Sequence, residues 1–575
     1  MKNTLTYIKG YGKECILGPL FKLLEASFEL MIPLVVAQII DVGILGGDKA
    51  HIWKMTLLMV VLGIVGLISA VVAQYFAAKA AVGFAAKLRC ALMEKILSFG
   101  YGQIDSLGTS TLVTRMTSDV DKVQTGVNLT LRLLLRSPFV VFGAMIMAFT
   151  IDCEAALIFA GVIPVLCLVV FGIMLITMPM YKKVQARLDG VTSATGQNLS
   201  GVRVLRAFCK ETEEIHDFRR KTQSLAESQL SAGRISALMN PLTLVIVNLA
   251  VILLIYVGAL KVEGGVLTQG LVIALYNYMS QILVELIKMA NLIITITKAV
   301  ACADRIGNIL KLEDKQENHG SVDKPMIGAV EFCNVSARYG GAAADSLEGI
   351  SFRAEAGQTI GVIGGTGSGK TSLINLIPRF YDASSGIVLI DGVEVGQMNP
   401  QSLRRQIGIV PQKAVLFRGT IGDNLRWGNE HATDEQLWQA LRVAQAEDVV
   451  KNRPEGLDAA VEQGGANLSG GQRQRLTIAR ALVGNPKILI LDDSASALDY
   501  ATDARLRMAI RQMDPAPTTF IVSQRAASVR HADQILVLDD GVLVGKGTHE
   551  SLIADCGAYQ EIYYSQFPKE VSSHG

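Results

Sequence analysis

The sequence predicts two fold classes in one chain: a membrane-embedded α-helical half with six transmembrane helices, then an α/β half. Three observations carry this. Six long apolar stretches precede residue 300, a polar break follows at 312–327, and short β-branched runs then alternate with helical segments. Of the 575 residues, 50% are hydrophobic and only 18% charged, against roughly 25% charged in soluble domains. That deficit excludes intrinsic disorder and argues against a wholly soluble protein. The formal net charge of +2 gives no reason to expect nucleic acid as a partner. The 8 Cys form no CxxC pair and no Cys/His cluster, so neither a disulfide framework nor a zinc site is indicated.

The apolar stretches lie at 16–45, 56–86, 133–151, 155–180, 238–260 and 271–297. Each is near or above the roughly 20 residues that a helix needs to cross the hydrocarbon core of a lipid bilayer. Lys87, Arg89, Lys95, Arg115 and Lys122 lie between the second and third stretches. Lys182, Lys183, Arg187, Arg203 and Arg206 lie between the fourth and fifth. The short opposite loops hold only Lys49, Lys54 and Lys261, so the positive-inside rule places both termini and the long loops in the cytoplasm. Those long loops, 87–130 and 181–236, read as helices continuing out of the bilayer. The expected organisation is a membrane domain over 1–311, a linker over 312–327 rich in charge, Gly and Pro, and a second domain over 328–575. Within the spans, Glu25 and Glu29, Arg132 and Arg136, and Gln281 and Glu285 are each four apart, hence on one helical face. Ionisable groups in hydrocarbon must face protein or a water-filled cavity. Interhelical pairing and contact with a substrate both stay open for them.

After the linker, the runs ISF, TIGVIG, GIVLID, IGIVP, KILILD, TFIVS and QILVLD indicate an α/β domain with a largely parallel sheet. Gly364, Gly365, Thr366, Gly367, Ser368, Gly369, Lys370 and Thr371 follow the strand-like Thr359–Ile363 and precede a helix-like segment opening at Ser372. This is GxxxxGK[ST] in its required strand–loop–helix setting, a P-loop for ATP. Glycines let backbone N–H groups turn toward phosphate oxygens. Lys370 adds a point charge, and the Thr371 hydroxyl suits Mg²⁺. Lys487–Asp492 reads as a buried strand ending in a second Mg²⁺ ligand, Asp492. Asp493 follows, where a water-activating base would sit. Leu468, Ser469, Gly470, Gly471 and Gln472 open another helix and form a second anion site. Two phosphate-grade sites about 100 residues apart imply that the second serves another chain's nucleotide, with ATP sandwiched head to tail.

Together these motifs resemble an ATP-binding-cassette exporter half-transporter, with six spans followed by one nucleotide-binding domain, over nearly the whole chain. The LSGGQ run is that family's signature. The resemblance implies that Tyr339 stacks on adenine, that Ser372 belongs to the ATP site, and that Gln412 contacts Mg²⁺ and reports to the membrane domain. It implies that the loop from Ser496 to Asp499 crosses the dimer interface. It also implies coupling helices at Leu107–Val113 and Leu199–Val202 and a small hydrophobic, lipid or peptide substrate; the compact loops suggest a bacterial plasma (inner) membrane.

Two positions depart from the family pattern. Where the family usually has Glu after Asp492, this chain has Asp493, whose carboxylate reaches less far by roughly 1.5 Å, one C–C bond. Where it usually has His, this chain has Gln524, which can hydrogen-bond phosphate but cannot titrate. A misplacement near 1 Å can cost on the order of a hundredfold in rate. The signature, by contrast, is complete. The sequence therefore resembles the degenerate-site subunit of bacterial heterodimeric multidrug-type exporters. Its own site, built on Lys370, Asp492, Asp493 and Gln524, is expected to hold ATP and turn it over slowly. A second half-transporter is expected to supply Glu and His opposite this chain's signature. A homodimeric exporter of a lipid, drug or peptide, or a nucleotide-gated channel or regulator on the same scaffold, are the alternatives.

Overall fold

A computed structural model of the protein describes Thr4 and residues 6–312, 320–339, 344–494 and 496–567. The chain divides into two compact units, one formed by Met1–Leu97 and Ser110–Leu312, the other by Ser98–Thr109 and Glu313–Gly575. Part of the expected linker, residues 313–319, lies outside the described residues.

The first unit consists of six helical spans, Gly12–Ile44, Lys49–Ser98, Thr109–Ile151, Cys153–Ser200, Glu211–Glu263 and Gln269–Lys311. Each is longer than the apolar stretch that announces it. The fourth runs 48 residues, about 72 Å at 1.5 Å per residue, more than twice the roughly 30 Å hydrocarbon core. Past its apolar part the helix continues through polar residues such as Lys182, Gln185 and Arg187, which hold the backbone ladder in water as well as apolar ones do. Where spans touch, small residues dominate: Ala26, Ala144, Ala148, Ala155, Ala156, Ala250 and Ala274 are all almost fully buried. With no water to drive helices together inside a bilayer, close backbone approach and dispersion must do it. Leu57, Ile64, Leu67, Ile68 and Val71 of the second span stay exposed, as suits a surface solvated by lipid.

Polar contacts pin the sixth span at both ends. Asp41 lies in a π-helical turn, Ile39–Ile44, and accepts from the Gly270 N–H at 2.7 Å and from the Thr268 hydroxyl. Asp119 ends a second π-helical turn, Arg115–Asp119, and is 1% exposed. It accepts from Arg305 Nε at 3.0 Å and a terminal nitrogen at 2.7 Å, and from Arg115 at 2.8 Å. Asp119→Asn leaves both guanidiniums short of a charge and is expected to cost about 3 kcal/mol. It should lower the melting temperature of the detergent-solubilised chain; an unchanged midpoint would remove the pinning role.

Both expected coupling helices are corrected. Gly108, at φ +75°, ends one short helix, Tyr101–Leu107, before another, Thr109–Thr114, begins. The span 107–113 is therefore a junction, because the left-handed backbone that glycine permits interrupts the helix. At 199–202, Ser200 closes the fourth span and Gly201 separates it from Val202–Ala207. Ser98–Thr109 belongs with the second unit. There Tyr101 stacks on Phe380 at 4.3 Å between ring centroids, and the Tyr381 hydroxyl donates to Asp105 at 2.7 Å.

The second unit contains a six-stranded sheet in the order 542–547, 534–539, 359–364, 518–522, 488–492, 407–410. All neighbours are parallel except the first pair. The parallel strands are buried on both faces, and alternation sorts their side chains. Ile488 and Ile490 face a core shared with a second sheet, while Leu489 and Leu491 face the helices that carry Leu437, Leu476 and Leu482. That second sheet is antiparallel and takes 347–354, 330–337, 385–390 and 393–394 in order. The runs ISF and GIVLID thus belong to it and not to the parallel sheet. They are covered on one face only, where Phe332 stacks on Phe352 at 4.6 Å and Phe352 meets Phe520 edge-on at 6.4 Å.

Candidate functional site

Three parallel strands end side by side. Val522 lies in register with Val362 on one side and Asp492 on the other. Ligands of open parallel sheets bind in the crevice beyond such carboxyl ends. Here a cleft of about 460 Å³ opens, lined by Tyr339, Thr366, Gly367, Gly369, Lys370, Thr371, Ser372, Gln412, Asp492, Asp493 and Gln524. Gly369 has φ +92°, and a Cβ there would sit 2.7 Å from the Ser346 carbonyl oxygen, so the loop needs glycine to turn into the helix Lys370–Leu376. Lys370 folds back into its own loop. Its ammonium donates to the carbonyls of Gly364 at 3.0 Å and Gly365, and to Ser368 Oγ at 3.3 Å.

The acids stand opposite. Thr371 Oγ1 donates toward Asp492, 3.2 Å from each carboxylate oxygen. Asp493 adopts φ +45°, and its N–H donates to the Val522 carbonyl at 3.0 Å. This left-handed conformation is rare for a residue other than glycine, and such residues cluster at functional sites. Burial raises the Asp492 carboxyl above its ordinary value, the Asp493 charge adds to the rise, and the Thr371 hydroxyl opposes it. Burial also raises Asp493, against Arg525, Gln412 and Lys370. Lys370 moves down by burial, opposed by both carboxylates. The donors near Thr371 are a hydroxyl, a carboxylate and an amide, a hard oxygen set that fits Mg²⁺ better than a softer metal. The Tyr339 hydroxyl pairs with Ser372 Oγ at 2.9 Å, and its ring meets Tyr381 edge-on at 4.9 Å.

Leu468, Ser469, Gly470, Gly471, Gln472 and Asp499 do not join this cleft. Ser469, Gly471, Gln472 and Asp499 line a separate one of about 540 Å³, while Leu468 is buried in the hydrophobic core. Ser469 and Gln472 form a reciprocal cap. Ser469 Oγ accepts from the Gln472 N–H at 3.3 Å, and Gln472 Oε1 accepts from the Ser469 N–H at 3.0 Å. Gln472→Ala should cost about 1 kcal/mol of helix stability, read as a lower melting temperature; no change would mean that the cap is dispensable. Asp499 caps the helix Tyr500–Arg511 through the Thr502 N–H at 3.0 Å. Sequence reasoning missed the cations of this second cleft, Arg442, Arg475 and Arg505. They come from three different helices, so no local motif signals them.

Comparison with known proteins fits this geometry. Residues 15–286 match a family model described as ABC transporter transmembrane region, and residues 347–496 match one described as ABC transporter. The chain is 36% identical to the uncharacterized ABC transporter ATP-binding protein YfiB of Bacillus subtilis, over 100% of both chains. It is 32% identical to the ATP-dependent lipid A-core flippase of Syntrophus aciditrophicus, over 84% of this chain and 81% of that one. A solved structure of a bacterial Atm1-family ABC exporter with ATP bound superposes with a TM-score of 0.81 at 23% identity, covering 97% of this chain and 99% of the other.

Proposed function

Because the chain belongs to the ABC transporter family, as an ATP-driven exporter with membrane and ATPase regions fused in one polypeptide, we propose that it is the slow-site half of a heterodimeric pump for an amphiphile. The observation that carries this reading is the acid after Asp492. Asp493 lines the cleft with a carboxylate one methylene shorter than the family's glutamate. Beside it Gln524 replaces the family's histidine.

In this reading the loop Gly364–Thr371 cradles the phosphates, Lys370 leaves its carbonyl partners for the β- and γ-oxygens, and Tyr339 stacks on adenine. Thr371, Asp492 and Gln412 would hold Mg²⁺. When bound, that ion neutralises charge on the phosphoryl oxygens. Asp493 orients water poorly, so nucleotide dwells. The second cleft, with its complete signature, Asp499 and three arginines, completes the partner's faster site. The chemistry is phosphoryl transfer to water, governed by placement and charge stabilisation. The pump sits in a bacterial plasma membrane with its nucleotide-binding domain in the cytoplasm, as the loop charges indicate. The named activity of the lipid A-core flippase supports an amphiphilic cargo. A complete signature and a surviving carboxylate also permit a homodimer.

Native mass spectrometry of the tagged chain extracted from its own membrane separates the two. The heterodimer gives a complex whose mass departs from twice 61.8 kDa, with a second subunit carrying Glu and His at the corresponding positions. A complex of two identical chains would overturn it.

A further inference from the structure

Inside the first unit, four charged side chains from three spans form a line of alternating sign. Glu29 of the first span accepts from Arg136 of the third at 2.5 Å, Arg136 donates to Glu285 of the sixth at 2.5 Å, and Lys288 donates to Glu285 at 2.8 Å. Ser137 donates to the remaining Glu285 oxygen at 2.8 Å. The middle pair is buried, with side chains 7% and 3% exposed; the terminal nitrogens of Arg136 and both Glu285 oxygens are bonded, while Arg136 Nε has no partner among the described residues. The ends are open: Glu29 is 39% exposed and Lys288 44%. Both ends line one cleft of about 370 Å³. The line thus presents a negative pole and a positive pole to the same space, each with bonding capacity left.

Three further observations point to a ligand there. Gln281 lines the cleft with a buried Oε1 that has no hydrogen-bond partner among the described residues, which costs free energy until a donor arrives. Pro33 lines it too and has no N–H to offer the carbonyl of Glu29. The line also lies within the spans, toward the cytoplasmic side of the hydrocarbon core. Glu29, Arg136 and Glu285 sit fifteen or sixteen residues from the short-loop ends of their helices, about 23 Å at 1.5 Å per residue, inside a core about 30 Å thick. Ionisable groups at that depth are functional-site candidates by default. The four charges cancel. A singly charged ligand would leave net charge in a low-dielectric site, whereas a ligand carrying both signs keeps it neutral.

We propose that this cleft binds the zwitterionic head of an amphiphile, its amine at Glu29 and Gln281 and its anion at Lys288, with the apolar body leaving along Ile32, Val140 and Val284. The cleft volume is near the lower end of the roughly 300–1,000 Å³ typical of small-molecule sites, enough for a head and the start of a chain. This deepens, and rests on, the reading of the chain as an amphiphile exporter.

The test uses the full chain in a neutral maltoside detergent and isothermal titration with four probes. Dihexanoylphosphatidylethanolamine carries both charges, dihexanoylphosphatidylglycerol the anion alone, dodecylamine the cation alone, and phosphoethanolamine the head without a body. Wild type should bind the first about tenfold more tightly than any other, as one charge-assisted bond implies. Glu29→Gln should weaken the ethanolamine lipid and dodecylamine about tenfold and spare the glycerol lipid. Lys288→Gln should weaken both lipids and spare dodecylamine. A purely structural role for the two residues cannot produce that crossed pattern. Equal binding of all four probes, or variants that keep the wild-type order, would overturn the proposal. Phosphoethanolamine as tight as the lipid would replace the amphiphile with a soluble zwitterion. The exporter reading is judged separately, by ATP-driven movement of tail-labelled lipid across vesicles holding the complex. Transport without head discrimination refutes the cleft and spares the reading; discrimination without transport does the reverse.

Discussion

Asp493→Glu combined with Gln524→His is expected to raise ATP turnover by the purified chain about a hundredfold. The added methylene advances the carboxylate by roughly 1.5 Å, and misplacement near 1 Å is worth on the order of that factor. The fold permits the change. Asp493 holds its left-handed backbone through the Val522 carbonyl, a contact that no side chain makes. Gln524 is exposed at the cleft rim, so a histidine ring meets no packed neighbour. ATP affinity should stay within a few-fold, because Lys370, Thr371 and Asp492 are untouched. A coupled-enzyme assay on wild type and the double variant reads this directly. If turnover stays flat while ATP still binds, the two substitutions are not what slows the site.

The second large effect lies in the other cleft. Ser469→Arg, made in the complex with its partner, should cut ATP turnover and transport on the order of a thousandfold. Removing one preorganised donor aimed at developing charge costs about 10²–10³ in rate, and an arginine also fills the space between Ser469 and Arg475. Asp493→Asn in the same complex should lower turnover less than twofold. The disparity is the point: the chain matters to hydrolysis through its signature more than through its own acid. Equal losses from both variants would mean two equivalent sites and would favour the homodimer.

What the sequence disclosed depended on how local the chemistry is. The P-loop could be read because eight consecutive residues, Gly364 to Thr371, carry the turn, the charge and the hydroxyl together. The fully buried strands could be read because they are continuous apolar runs. The strand Val542–Gly547 could not. It is an edge strand with side chains half or fully exposed, and VLVGKG lacks a strong pattern. The strand Val330–Ala337 was hidden for a similar reason, since VEFCNVSA mixes polar residues on its open face with Val330, Phe332 and Val335 on its buried one. Helix spacing put Glu25 beside Glu29, but only Glu29 joins the buried line, while Glu25 pairs with Lys22 at 2.5 Å. Lys288 was invisible because a lone lysine late in a span looks like an interfacial anchor; only its contact with Glu285 places it at the cleft. The arginines of the second cleft converge from separate helices, which is tertiary information.

The claim that this chain holds ATP well and cleaves it poorly is tested most directly by the steady-state hydrolysis rate of the full-length chain purified without any other subunit, at saturating ATP and Mg²⁺, with ATP binding verified on the same sample. The account predicts a rate at least about a hundredfold below the same chain's rate in complex with its partner. A sustained rate of 1–10³ s⁻¹, the range usual for enzymes, from a preparation holding only this polypeptide would contradict it.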